Sequence, residues 1–169
     1  MSRRARLLLL LLGGVAIVVL IALGLGAFDI SATSRPSKLE KSVAGWVRDA
    51  SIRARAPRNV KAPTDPATLT KGRAEYAEHC QVCHGIPDAE QTSIAQGLNP
   101  PVPDLAEPTT QARTDGELFF IVSHGIRLSG MPGFAKSEPD DVRWAMVAFV
   151  RHLPKLTPEE RAELEKKHD

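Results

Sequence analysis

The sequence predicts an all-α protein in which one long apolar helix precedes a small helical domain. Two observations predict this fold class. Residues 7–28 carry no charged side chain, and 22 such residues are enough for about 33 Å of helix. After residue 66, helix-start patterns recur, and no stretch shows the strong apolar–polar alternation of a half-buried strand.

The apolar segment is predicted to be a transmembrane anchor formed by residues 1–28. A signal peptide has a shorter apolar region of about 7–15 residues, but Ala27 offers a small residue for cleavage, so a signal peptide stays the alternative. Arg3, Arg4 and Arg6 precede the apolar residues. By the positive-inside rule, the N-terminus lies in the cytoplasm and the remainder of the chain lies outside it.

Residues 29–65 form a basic neck that ends in a Pro-rich linker. The neck contains eight Lys and Arg against four Asp and Glu, a net charge of +4. Helical spacing within residues 38–56 predicts an amphipathic helix, with apolar positions at Leu39, Val43, Trp46, Val47 and Ala50. This helix lies in the membrane interface, packs on the domain or is solvated. Basic residues beside a membrane favour anionic lipid, and no nucleic-acid partner is expected.

Residues 66–169 form the domain, which has a net charge of −5. The pattern predicts three or four short helices, the first from Leu69 to Cys80. A capping box at 114–117 predicts the start of a second helix that ends at His124, and a similar pattern at 137–140 predicts the start of a third that ends at about Leu153. A short terminal helix is predicted from residue 157. Residues 86–110 form a long loop, which needs a group to wrap around. The apolar residues are too few for a generous core, so a buried prosthetic group is expected.

Cys80-Gln81-Val82-Cys83-His84 is the strongest motif in the chain. C-x-x-C-H is the pattern for covalent haem attachment, with two thioethers to the cysteines and the imidazole of His84 beneath the iron. A thioredoxin-like dithiol needs a βαβ context, which the sequence does not predict. A zinc site needs two further ligands at knuckle spacing, and the chain has no other cysteine.

Met131 is the predicted second iron ligand. It lies 47 residues after His84 in the stiff turn Gly-Met-Pro-Gly-Phe, whose small residues let a thioether approach a flat haem. As an iron ligand, a thioether raises the reduction potential of a haem. Met146 lies among apolar residues of a helix, where methionine usually fills a core. His124 is kept as the alternative ligand, whereas His79 and His152 are expected at the surface.

These residues resemble class I c-type cytochromes over about Leu69 to Leu153. Gly72 and Tyr76 stand at the family's spacing before the haem motif, and Met146 and Phe149 match the apolar partners on the C-terminal helix. Pro103-Asp104-Leu105 is similar to the family's Pro-Asn-Leu. The resemblance implies a cytochrome c fold in which the Pro103 carbonyl accepts a bond from His84 and Leu105 packs on the haem.

The resemblance further implies an electron carrier with one covalently attached haem c, and not an enzyme by itself. Together with the anchor, it predicts a single-pass protein of the bacterial inner membrane whose haem domain is periplasmic. It works as a tethered shuttle or as the haem subunit of a respiratory or dehydrogenase complex, with redox proteins and the bilayer as partners. The alternative is a haem-based sensor in which the Met131 bond is labile.

Overall fold

The computed structural model describes residues 2–27 and 29–166. Met1 and Phe28, at the ends of the predicted anchor, and residues 167–169, at the end of the predicted domain, lie outside the described residues. Every regular element in the described part is a helix, which confirms the all-α class. The helices are α1 (Arg3–Gly24), α2 (Lys38–Arg55), α3 (Pro66–Glu75), a π-helical turn (Tyr76–Cys80), α4 (Gln81–His84), α5 (Ser93–Gln96), α6 (Pro108–Gln111), α7 (Asp115–His124), α8 (Asp140–His152), a 3₁₀ turn (Leu153–Lys155) and α9 (Pro158–Lys166).

The chain divides into two compact units, Met1–Ser34 and Arg35–Asp169. In the first unit, α1 begins after Ser2, whose side chain accepts a hydrogen bond from the Ala5 N–H. Among the described residues, α1 is the one helix long and apolar enough to cross a membrane, a test that signal sequences also pass. The functional boundaries at residues 28 and 65 stay predictions.

The crossing of α3 over α8 organises the second unit. Gly72 makes this crossing close, because its Cα faces the main chain of Ala145. One turn later, Tyr76 packs against Phe149 with ring centroids 5.4 Å apart, and its hydroxyl donates a hydrogen bond of 2.8 Å to the Gly85 carbonyl. Both aromatic side chains are buried. The helix crossing therefore fixes the chain on both sides of the Cys80–His84 motif.

The helix of the predicted neck packs with the domain, and α2 contacts α7. Ile52 of α2 is buried, and Asp49 of α2 accepts a hydrogen bond of 2.8 Å from Arg113. The linker is held as well, because the Ala62 N–H donates to Asp115 at 2.8 Å. Of the three predicted environments for this helix, packing on the domain is the one that the structure shows for its Ile52 face.

Several predicted helix bounds differ from the observed ones. The first domain helix begins at Pro66 rather than Leu69, because the Asp65 side chain caps it by accepting from the Thr68 N–H at 2.9 Å. The third has no capping box: Ser137 lies in a turn, its hydroxyl donates to the Phe134 carbonyl, and α8 begins at Asp140 after Pro139. The predicted long loop contains the single-turn helix α5, and the single-turn helix α6 begins at its end and runs one residue beyond it.

Candidate functional site

The haem motif lies where the π-helical turn passes into α4. Cys80 is buried at the end of the turn, Cys83 is half-buried, and Gly85 ends α4 with a φ of 64°, which glycine adopts without strain. Gln81, between the cysteines, is also buried and donates to the Leu164 carbonyl at 2.8 Å. This hydrogen bond connects the motif to α9, the last helix in the sequence of the domain.

His84 is oriented by a main-chain acceptor. Its Nδ1 lies 3.0 Å from the Pro103 carbonyl oxygen, which is the acceptor that the family resemblance implies. Burial lowers the pKa of His84 below its ordinary value, although the hydrogen bond to Pro103 acts in the opposite direction. The lowered pKa favours the neutral imidazole. Because a carbonyl oxygen can only accept, Nδ1 carries the proton in this hydrogen bond, and Nε2 is left as the nitrogen that can bind a metal.

Met131 lies in a loop that is fastened back onto α7. The N–H groups of Phe134 and Ala135 donate to the carbonyls of Val122 and Ser123 at 3.0 and 2.9 Å. At the start of the loop, Gly125 has a φ of 66° and faces the Met131 carbonyl, so closely that a Cβ would lie 2.5 Å from that oxygen. This packing holds the methionine against the rest of the site.

All six predicted site residues line one cavity of about 280 Å³: Cys80, Cys83, His84, Pro103, Leu105 and Met131. Most of the other lining side chains are apolar, among them Leu98, Leu118, Ile121, Val122, Ile126, Phe134, Val147 and Val150. Two thiols, one imidazole and one thioether around an apolar cavity suit a covalently attached, metal-containing and largely apolar group. The residues present therefore fit a haem.

Met146 and His79 differ in part from their predicted surroundings. Met146 is fully buried in the core, as predicted, but also lines the cavity. His79 was expected at the surface, yet its side chain is only 25% exposed, lies against the Phe134 ring and lines the cavity. His124 is exposed at the end of α7, and His152 is half-buried beside Glu160.

Two arginines that the sequence did not single out also line the cavity, Arg48 of α2 and Arg113 before α7. Asp49 accepts a hydrogen bond from each, at 2.9 and 2.8 Å. Partial burial acts to raise the pKa of Asp49, but these hydrogen bonds outweigh it and the pKa lies below its ordinary value. No local motif marks the pair, because Arg48 and Arg113 belong to segments far apart in sequence.

Comparison with known families supports the same interpretation. Residues 67–150 match the model of a family described as cytochrome C oxidase, cbb3-type, subunit III. This domain is a class I c-type cytochrome. The cytochrome therefore uses a haem cofactor and serves electron transfer between redox partners. A search of curated proteins found no match to the chain.

Proposed function

We propose that this cytochrome is a membrane-anchored periplasmic electron carrier with one haem, attached through Cys80 and Cys83 and ligated by His84 and Met131. It acts as a tethered shuttle or as the haem subunit of a larger oxidoreductase complex. The observation that carries the proposal is the meeting of all four side chains at one apolar cavity, with His84 already bonded to Pro103. When bound, the haem iron takes up and releases one electron.

The side chains of the site favour haem attachment over dithiol chemistry. Burial raises the pKa of Cys80 to about 12, with smaller contributions from Glu75 and Cys83. A redox dithiol needs an accessible sulfur that ionises near neutral pH, because the thiolate is the nucleophile. The buried Cys80 does not meet this requirement and leaves only the half-buried Cys83 to do so, whereas thioethers at both positions carry no charge and suit the apolar cavity.

The remaining lining residues supply orientation and charge. Pro103 accepts the Nδ1–H bond that sets the imidazole plane, and Leu105 provides apolar packing, as the family resemblance implies. Arg48 and Arg113 offer guanidinium groups to the two carboxylates of a haem, which arginine binds well. Asp49 positions both arginines and partly offsets their charge.

The attachment and the assignment of Met131 as ligand are tested by substitution at Cys80, Cys83 and Met131. Replacing Cys80 and Cys83 together with Ala should abolish haem that survives acid–acetone extraction, and retained covalent haem would contradict the proposal. Met131→Leu should lower the reduction potential and let the reduced protein bind CO, because the thioether ligand is lost. Met146→Leu is the matched control and should change neither property.

CO binding by the unmodified protein and by these variants also distinguishes a carrier from a sensor and tests the choice of ligand. CO binding in the unmodified protein would favour a sensor with a labile Met131 bond over a carrier. If Met146→Leu or His124→Ala lets the reduced protein bind CO while Met131→Leu does not, the assignment of Met131 as ligand is wrong.

The anchor is supported by the length and apolar composition of α1 and is tested by fractionation. An uncleaved anchor should leave the haem band in carbonate-washed membranes, with an intact N-terminus by mass spectrometry. Recovery of the haem protein from the soluble periplasmic fraction alone would show that the segment is a signal peptide.

A further inference from the structure

The helix α2 has two faces with opposite environments. Ile52 is only 3% exposed on the side that packs with the domain. Val43 precedes it by nine residues, which is two and a half turns at about 3.6 residues per turn. Val43 therefore points away from the domain, and its side chain is 53% exposed.

The outward face of α2 is apolar. Leu39, Trp46 and Val47 share it with Val43, and their exposed fractions are 73%, 70% and 53%. Single exposed apolar residues are common on soluble proteins, but a continuous stripe of this kind marks an interaction surface. The domain leaves this stripe uncovered.

Charge and chain length indicate which partner this is. Residues 38–55 contain five Lys and Arg against two Asp and Glu, and because Arg48 and Asp49 of this helix are hydrogen-bonded to each other, four basic residues remain against one acidic residue. Net positive charge around an apolar stripe with a central tryptophan is typical of helices in the interface of anionic membranes. Thirteen residues separate Gly24 at the end of α1 from Lys38, which keeps α2 at high effective concentration near the bilayer.

We infer that the outward face of α2 docks in the headgroup region of an anionic bilayer and thereby orients the haem cavity relative to the membrane. The inference rests on the proposed membrane anchor. Orientation follows because α2 is attached to the domain through buried Ile52 and the Asp49–Arg113 hydrogen bond, while Arg48 of the same helix lines the cavity. Docking one face of the helix therefore sets the direction of the cavity.

Membrane contact is tested with the full-length haem protein in nanodiscs. Hydroxyl-radical oxidation of Trp46, measured by mass spectrometry, should be several-fold slower in discs containing phosphatidylglycerol than in discs of phosphatidylcholine alone. Leu128 is 90% exposed on another segment and serves as the reference, so its oxidation should be equal in the two discs. Equal oxidation of Trp46 in the two lipids would overturn the anionic-bilayer assignment.

Orientation is tested by linear dichroism of the haem absorption in aligned bilayers containing phosphatidylglycerol. The unmodified protein should give a dichroic signal, and the double variant Val43→Ser, Trp46→Ser should lose it. Ile94→Ser is the matched control, since Ile94 is 50% exposed on α5, and it should keep the signal. All three substituted side chains are exposed, so the fold is expected to persist, which the absorption spectrum checks.

Other results have definite meanings. Dichroism that survives in the double variant would overturn the inference. A signal in native membranes that is absent from pure lipid would assign the stripe to a protein partner instead. Failure of the anchor is distinguishable from both, because a chain without it does not sediment with washed membranes at all, whereas failure of docking leaves the protein bound but unoriented.

Discussion

Gly72→Ala tests the helix crossing on which the haem site is built. A Cβ at residue 72 would lie 2.1 Å from the Ala145 carbonyl oxygen and 2.9 Å from the Phe149 Cβ, so α3 and α8 must separate. Overpacking costs about 1–3 kcal/mol, and contact with main chain places this site at the upper end. Alanine gains about 1 kcal/mol over glycine inside a helix. We expect a net loss of about 2 kcal/mol in the free energy of unfolding.

Gly45→Ala is the matched control for this substitution. Gly45 lies inside α2, and the nearest atom to its added Cβ would be a guanidinium nitrogen of Arg48 at 4.0 Å. Without a clash, only the helix preference acts, and the variant should gain about 0.5–1 kcal/mol. Denaturant unfolding of the full-length haem proteins in detergent measures both. A Gly72→Ala protein as stable as the original, or an equal loss in Gly45→Ala, would refute the close-crossing argument.

Two further predictions concern hydrogen bonds within the second unit. Tyr76→Phe should cost about 1–2 kcal/mol, because the Gly85 carbonyl loses its 2.8 Å donor while the ring packing is kept; an unfolding curve equal to that of the original protein would contradict this. Partial burial acts to raise the pKa of Asp115, but hydrogen bonds from the Ala62 N–H and from Arg151 outweigh it and hold the pKa below 3.8. The ionised Asp115 therefore contributes fully to the free energy of unfolding above pH 3.8, and this contribution is lost as the pH falls through the lowered pKa. Asp115→Asn should therefore lose about 1–2 kcal/mol at pH 7, and the difference from the original protein should shrink below pH 3.8; a difference independent of pH would exclude the carboxylate as its source.

Local signals in the sequence predicted the parts of the fold that local interactions determine. The capping box of Thr114 and Glu117 is formed as predicted, and α7 runs from Asp115 to His124. Thr157 and Glu160 make the same reciprocal hydrogen bonds at the start of α9. In both places the side chain that begins the helix lies within one turn of its partner, so sequence spacing alone contains the information.

The π-helical turn from Tyr76 to Cys80 was not predictable in this way. A continuous helix was expected to Cys80, and the change to wider hydrogen bonding adds no recognisable residue pattern. It rotates the side chains that follow it relative to those of α3. The positions of Cys80, Cys83 and His84 around the cavity therefore depend on a backbone irregularity that periodicity does not detect.

Long-range contacts account for the rest of what the sequence did not predict. Asp49 and Arg113 are 64 residues apart, and their hydrogen bond holds α2 against the haem domain, a choice that the sequence left open among three environments. The same contact brings Arg48 to the cavity. Charge counts identified residues 29–65 as basic, but which of those charges face the site is decided by tertiary packing.

Because the acceptor for His84 is the main-chain carbonyl of Pro103, substitution of the side chain at position 103 does not remove it. A side-chain acceptor disappears with one codon change, whereas every amino acid at position 103 supplies a carbonyl. The requirement at this position therefore falls on backbone conformation, which proline restricts through its fixed φ, rather than on side-chain chemistry. A substitution in this loop therefore leaves the acceptor for His84 in place as long as it leaves the path of the main chain unchanged.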